Sequence, residues 1–479
     1  MSTSLSNSAP TPYHPTLPDS VAQAGTFFFL LFVFMWPFQR VPFLTDNLFG
    51  VQGLKPFNLL SAIVLAYLVF DTAPLHATDR IERTSIRIFL LYFAIFAIAL
   101  IRSVPNAPLL HSRFPDSYPE SYFDFVLSNC LVPIFYTLSF LFVLKRMRSF
   151  QEIERITTVI CLSMLLLSIV FVALVLTNPS VSGMAEPVPA SRDKMTEFCE
   201  TYFGVHYNTI GTMYICTVPL LVYRALTRNA LGIASLCLSL LAILLLESRG
   251  ALVTVVASCS LYLILRRRFA ILVVGAAAAG VTSLLWIGPT VQALLSVGFD
   301  GDSGASADAL LTGRVDYVWA PLLSEWTSNI GLFLFGAGRY GMGTSQLWDT
   351  GALYQANQAH NAIINFFLDC GVILTGVLLI FLLLGTATAW RVGRRLNSDL
   401  YWALFVCIFG CGISMATQSD ILPTIQNMYA FPIVAMMINL ARLRYLGAIT
   451  DTPKTGNNGK IENAPIALVA RSKQKRERP

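Results

Sequence analysis

Charge is what this sequence has least of. Only 13% of its 479 residues are charged, while 55% are hydrophobic; a soluble domain carries about a quarter charged residues. Such a chain cannot cover its own surface with polar groups, so lipid must be the solvent for much of it. The five histidines and nine cysteines form no cluster with metal-ligand spacing, and no metal or cofactor is expected. The cysteines fall mostly inside apolar runs, where they act as small hydrophobes; only Cys199 lies in a predicted outer loop, so no disulfide framework is implied. A G-x-S-x-G elbow and a P-loop are both missing. The net charge of +6 is not gathered on a soluble domain, which excludes nucleic acid as a partner.

Apolar runs are what is present. A helix needs roughly 20 apolar residues to cross the hydrocarbon, and runs near that length occur at 22–38, 56–72, 86–103, 123–144, 156–176, 204–225, 229–246, 250–265, 269–287, 362–389, 400–416 and 425–441. The expectation is an all-α polytopic membrane protein of about 12 transmembrane helices. Pro37 and Pro42 should make the far end of the first run irregular. Residues 1–21 read as a disordered cytoplasmic tail, 22–445 as the transmembrane domain, and 446–479 as a disordered basic tail near anionic headgroups.

Loop charges support the count. With the N-terminus cytoplasmic, every second connection is basic: Arg80, Arg83 and Arg87; Lys145, Arg146, Arg148 and Arg155; Arg224 and Arg228; Arg266 to Arg268; Arg391, Arg394 and Arg395; then the C-terminal tail. About 24 of the 33 basic residues are then inside, as the positive-inside rule requires. Both termini are cytoplasmic on this reading, and the outer face holds two long loops, 177–203 and 288–361. Within the second, Val315, Val318, Trp319, Leu322, Leu323 and Trp326 recur at helical spacing, with Pro321 as a kink or a new start. Such a stripe either lies at the membrane interface or packs on the bundle.

Few outer residues can carry chemistry. Arg249 occupies the short turn ESRGAL beside Glu247; it pairs there, snorkels to headgroups, or faces a substrate. Arg314 opens the amphipathic stretch as GRVDYVW, either solvated or bound to an anion. His360 precedes Asn361 where the chain re-enters the membrane as AHNAIINFFLDCG. A helix start offers free N–H groups and a positive dipole end, which suits an anion and disfavours imidazolium. Asn361 can cap that helix or bind a sugar hydroxyl. Asp369, further along it, is a costly intramembrane carboxylate that needs a partner, either as a structural tie or for proton coupling. In FGAGRYGMG the glycines match G-x-G-x-x-G without a βαβ unit, so they are read as permitting a tight loop that presents Arg339 and Tyr340 beside the helix start. Asp300 and Asp302 read as solvated loop acids.

In this order, ESRGAL at 247–252, GRVDYVW at 313–319, FGAGRYGMG at 335–343 and AHNAIINFFLDCG at 359–371 resemble the O-antigen ligase and polymerase superfamily of bacterial envelope enzymes, over roughly residues 205–390. Asp369 departs from the resemblance, since such proteins commonly carry Glu there. The resemblance implies a GT-C-like fold in the bacterial inner membrane, with a long, partly helical periplasmic loop before the last three helices. It implies a metal-independent, inverting glycosyltransferase with His360 as the catalytic base, and Arg249 and Arg314 on the pyrophosphate, Arg339 beside them. Asn361, Tyr340, Glu247 and Asp369 would support the site. The donor would be a glycan on undecaprenyl pyrophosphate. The acceptor would be another lipid-linked glycan for a polymerase, with a chain-length regulator protein as a partner, or lipid A-core for a ligase. From another class, a lipid-linked-glycan flippase or transporter stays open.

Overall fold

The computed structural model describes residues 19–46, 48, 55–70, 80–115, 117–178, 188–246, 248–275, 315–351, 353, 359–415 and 421–445. Among them every regular element is a helix. Five helical stretches are long and apolar enough to cross a membrane: Ile81–Arg113, Tyr122–Arg146, Phe150–Thr177, Tyr207–Leu226 and Ala362–Leu396. This is an α-helical membrane protein.

In chain order the helices that concern the site are α1 (Asp19–Phe34), α2 (Pro56–Phe70), α3 (Arg80–Ser103) and α4 (Ala107–Arg113). Next come α5 (Tyr122–Arg146, with a π turn at Leu127–Leu131), α6 (Phe150–Thr177), α7 (Val188–Phe203), α8 (Tyr207–Leu226), α9 (Ala230–Leu245) and α10 (Arg249–Leu265). A π turn at Val315–Trp319 leads into α11 (Ala320–Ser328), followed by α12 (Ile330–Phe335), α13 (Ala362–Leu396), α14 (Asp399–Met415) and α15 (Ala430–Tyr445). Helices cover eleven of the expected runs; the run 269–287 is helical to residue 275, and its remainder lies outside the described residues. So do residues 1–18 of the expected N-terminal tail and the whole of the expected tail 446–479.

The core sits around α8, whose residues from Thr209 to Tyr223 are all buried. A helix buried on every side must be apolar or internally satisfied all round, and Thr212 and Thr217 achieve this by donating to the carbonyls of Asn208 and Met213 (3.0 and 2.8 Å). At α1 the irregular end is present: Pro37 sits at the start of a 3-10 turn, Trp36–Phe38, and Pro42 opens a four-residue helix, Pro42–Thr45. Proline is tolerated in both places because its missing N–H falls among the amides left unpaired in any first turn.

Ion pairs join one set of helix ends. Glu82, at the start of α3, faces Arg148 (3.3 Å) and Arg442 (3.4 Å); Glu154 pairs with Arg224, and Arg266 with Asp399. The opposite ends, which include the starts of α8, α10 and α13 and the end of α3, carry the candidate site. One element there differs from expectation, and another takes one of the two forms left open. The stretch 177–203 contains α7, which buries Met195, Phe198, Cys199 and Phe203. Burial pushes the Cys199 thiol up to about 12, which leaves it an inert packing group. The amphipathic stretch packs on the bundle: Val318, Leu322 and Trp326 are buried in one cluster with Met342, Ala359 and Leu368. Pro321 stands in the first turn of α11, where the π turn gives way to an α-helix.

Candidate functional site

The site is organised by a break in α13. At Gly371 the backbone leaves the helical region (φ 76°, ψ 175°), while Gly336, which ends α12, has φ 69° and ψ −177°. This region of backbone space is open essentially to glycine alone. Each glycine lies against the backbone of the residues just before the other. A Cβ on Gly336 would lie 2.4 Å from the carbonyl of Asp369, and one on Gly371 would lie 2.4 Å from that of Leu334. The break orphans carbonyls that a continuous helix would use, and an orphan in an apolar interior is costly. The glycine-rich loop supplies the missing donors. Ala337 N–H reaches Leu368 O and Gly338 N–H reaches Asp369 O, each at 2.9 Å, and Trp326 Nε1 also donates to Leu368 O (3.1 Å).

Asp369 is 4% exposed, and its Oδ1 accepts the amide of Gly341 (2.8 Å). The buried carboxylate therefore ties the loop to the helix. Tyr340, left-handed at φ 66°, directs its hydroxyl to Asn129 Oδ1 in the π turn of α5. Arg339 is 3% exposed and turned into the protein: its Nη atoms donate to Asn129 O (3.5 Å) and Pro423 O (3.3 Å). Its guanidinium lies 5.1 Å from the ring centres of both Phe96 and Tyr340, a cation–π arrangement. The loop thus meets α13 near its break, roughly 12 Å from Asn361 at 1.5 Å per residue, and not beside the helix start as expected.

His360 stands just before α13, half-buried, with a left-handed backbone (φ 51°). Non-glycine residues in that region cost on the order of 1–3 kcal/mol and persist only where neighbours enforce them. Here the neighbours do. Ala359 N–H donates to Asn365 Oδ1 (2.9 Å), and Ala359 O accepts Trp319 Nε1 (2.7 Å). Asn361 caps α13, accepting the amides of Ile363 (3.0 Å) and Ile364 (3.1 Å). The expected cap is present, and it occupies two of the donors an anion would otherwise use.

No family model and no curated protein matches the chain.

Of the other expected site residues, Arg249 opens α10, while its side chain lies outside the described residues. Glu247, Arg314, Asp300 and Asp302 also lie outside them. The residue next to Arg249, Ser248, is buried and donates to Asn208 Oδ1 (3.1 Å) at the start of α8. Close approach of α10 to α8 explains this: a Cβ on Gly211 would lie 2.9 Å from that of Ala251.

Sequence reasoning missed several participants. Arg102 donates to Gly336 O (2.5 Å) and Asn106 to Ala337 O (3.0 Å), so the end of α3 holds the outer side of the loop. Asn365 had a signal, one helical turn after Asn361, and Trp319 was read only as apolar. Arg40 is brought beside Tyr136, close to Arg339 and Tyr340; nothing in its local sequence indicates that placement. His206 caps α8 by accepting the Asn208 amide at Nδ1 (3.1 Å). Burial lowers its pKa, opposed by the charge of Glu200.

Proposed function

We propose that the chain is a membrane glycosyltransferase. It moves a glycan from undecaprenyl pyrophosphate to an acceptor sugar hydroxyl, as the polymerase of an O-antigen or exopolysaccharide. The observation that carries this reading is the treatment of His360: a strained histidine backbone, clamped through Ala359 by Trp319 and Asn365, at the start of a capped half-helix. Strain maintained by dedicated hydrogen bonds suits a residue that must hold one position for chemistry.

In this proposal the fold is GT-C-like with about 12 spans. The protein sits in a bacterial inner membrane with both termini cytoplasmic, and the site opens to the periplasm. His360 accepts the proton of the acceptor hydroxyl as that oxygen attacks the anomeric carbon. Direct attack inverts the configuration. Arg249 and Arg314 neutralise the departing pyrophosphate, for which a guanidinium fork is well shaped. Arg339, Tyr340 and Asp369 hold the loop that seals the break, and Asn361 caps the half-helix. The acceptor distinguishes two members of this class. Deleting a polymerase leaves single-repeat caps on a gel, whereas deleting a ligase that transfers to lipid A-core leaves full-length lipid-linked polymer.

A second reading draws on the same break, since discontinuous helices also form the ion and substrate sites of transporters and flippases. Against it, the carbonyls at Leu368 and Asp369 already receive the N–H groups of Ala337, Gly338 and Trp326. The test is His360→Ala in purified, correctly inserted protein supplied with lipid-linked glycan. Loss of transfer with unchanged expression supports the base assignment. Substantial residual transfer removes it, and glycan flux across vesicles without any bond formed favours the transporter.

A further inference from the structure

A cleft of ≈ 480 Å³ lies on the outer side of the glycine-rich loop, between the end of α3 and α11. Its size falls within the range of small-molecule sites. The polar lining comes from Arg102, Asn106, Glu325, Thr344 and Gln346; Pro105 and Leu332 supply an apolar part, with Trp326 fully buried behind them. Trp326 also belongs to the apolar cluster that contains Ala359, the residue before His360.

Existing hydrogen bonds restrict what each polar group can offer a ligand. Arg102 gives one N–H to Gly336 O, which leaves the rest of an exposed fork as donor. Asn106 gives its amide nitrogen to Ala337 O, which leaves Oδ1 as acceptor. Thr344 donates to Gly341 O (2.7 Å), so its oxygen can still accept. The Glu325 carboxylate is fixed by Ser345 Oγ and by the Gln346 amide N–H (2.8 Å). The side-chain amide of Gln346 is exposed and makes no hydrogen bond among the described residues, so it can both donate and accept.

The lining therefore offers both donors and acceptors. Its one guanidinium is balanced by one carboxylate, and part of its wall is apolar. A phosphate would meet Glu325, and an acyl chain would leave the polar rim unpaired. A neutral pyranose satisfies the whole set: its hydroxyls donate and accept, and its C–H face suits Leu332 and the exposed Pro105. We propose that this cleft is a sugar-binding subsite that holds a glycan unit of the acceptor behind the reacting hydroxyl. The acceptor role rests on the glycosyltransferase reading; sugar binding does not.

The experiment uses the full chain in lipid nanodiscs. The probe is an oligosaccharide released by mild acid from the surface polysaccharide of the producing strain, fluorescently labelled at its reducing end. Binding is followed by polarisation for wild type, Gln346→Ala and Gln346→Trp. The alanine should weaken binding about 2- to 10-fold, the loss of one hydrogen bond, and the tryptophan, which fills the cleft, should weaken it further. Equal affinity in all three proteins overturns the proposal, as does a wild type that shows no saturable binding. If Gln346→Trp fails to fold, the alanine variant still decides. Wild type that binds the sugar in a Gln346-dependent way but transfers no glycan keeps the subsite and defeats the transferase reading. Transfer with Gln346-independent binding does the reverse.

Discussion

Replacing Gly371 by alanine should damage this protein far more than the loss of one glycine suggests. The new methyl group would lie 2.4 Å from the Leu334 carbonyl carbon and oxygen and from Phe335 N. All three are backbone atoms, with no flexible side chain to swing away. The backbone conformation is itself closed to alanine, at on the order of 1–3 kcal/mol, and overpacking against rigid neighbours adds about 1–3 kcal/mol. If α12 lifts to relieve the contact, the bonds from Ala337 and Gly338 to Leu368 O and Asp369 O lengthen, at roughly 0.5–1.5 kcal/mol each. Whether the contact persists or α12 lifts, the total of about 2–6 kcal/mol is a large part of the roughly 5–15 kcal/mol that stabilises a typical protein. Gly376→Ala is the matched control, because it lies in the same helix with nothing within 4 Å of its added Cβ. Helix propensity alone predicts that this control is neutral or stabilised by up to about 1 kcal/mol. Thermal unfolding of both variants in nanodiscs, followed by tryptophan fluorescence, makes the comparison, with glycan transfer measured alongside. Should Gly371→Ala melt together with Gly376→Ala and wild type, the crossing of the two glycines does not hold the loop and the account of the site fails.

Other outcomes follow from the same contacts. Asp369→Asn keeps an oxygen for the Gly341 amide and should retain more stability than Asp369→Ala, which leaves that buried N–H unpaired at about 1–3 kcal/mol; equal melting of the two variants would refute the tie. Trp319→Phe removes the indole N–H from Ala359 O at roughly 0.5–1.5 kcal/mol and should lower transfer more than stability, since it loosens His360. The His206 cap requires an unprotonated Nδ1, and its pKa is lowered on folding. Its contribution is therefore fully present above the unfolded value of about 6.5 and lost as pH falls through the lower folded value. Melting of wild type should drop over that interval, and His206→Asn, which caps without titrating, should flatten the drop.

Much of the architecture was legible because it depends on composition and spacing along the chain. Long apolar runs, alternating basic loops and helix-breaking prolines act locally, and the helices begin and end close to where those signals stand. Asn361 as a cap and α11 taking Pro321 into its first turn follow from the same local chemistry. The break in α13 was not legible. FFLDCGVIL reads as continuous helix apart from its one carboxylate, and one glycine within it is unremarkable until Leu334 and Phe335, beside Gly336, are brought against it.

The partners of the polar groups also depended on tertiary structure. Asp369 announced itself as a buried charge in need of a partner, but that its partner is a backbone amide of the glycine-rich loop depends on which two segments cross. Arg339 looked like a residue for phosphate because Arg in an outer loop commonly faces water. Packing against Phe96 and the carbonyls of Asn129 and Pro423 turned it inward. Sequence by itself determined that this chain is helical, apolar and built for lipid, because transfer of side chains from water is a property of each segment alone. The clamp on His360 and the sealed break were decided only in three dimensions, because each requires groups from distant segments to satisfy one another where water is excluded.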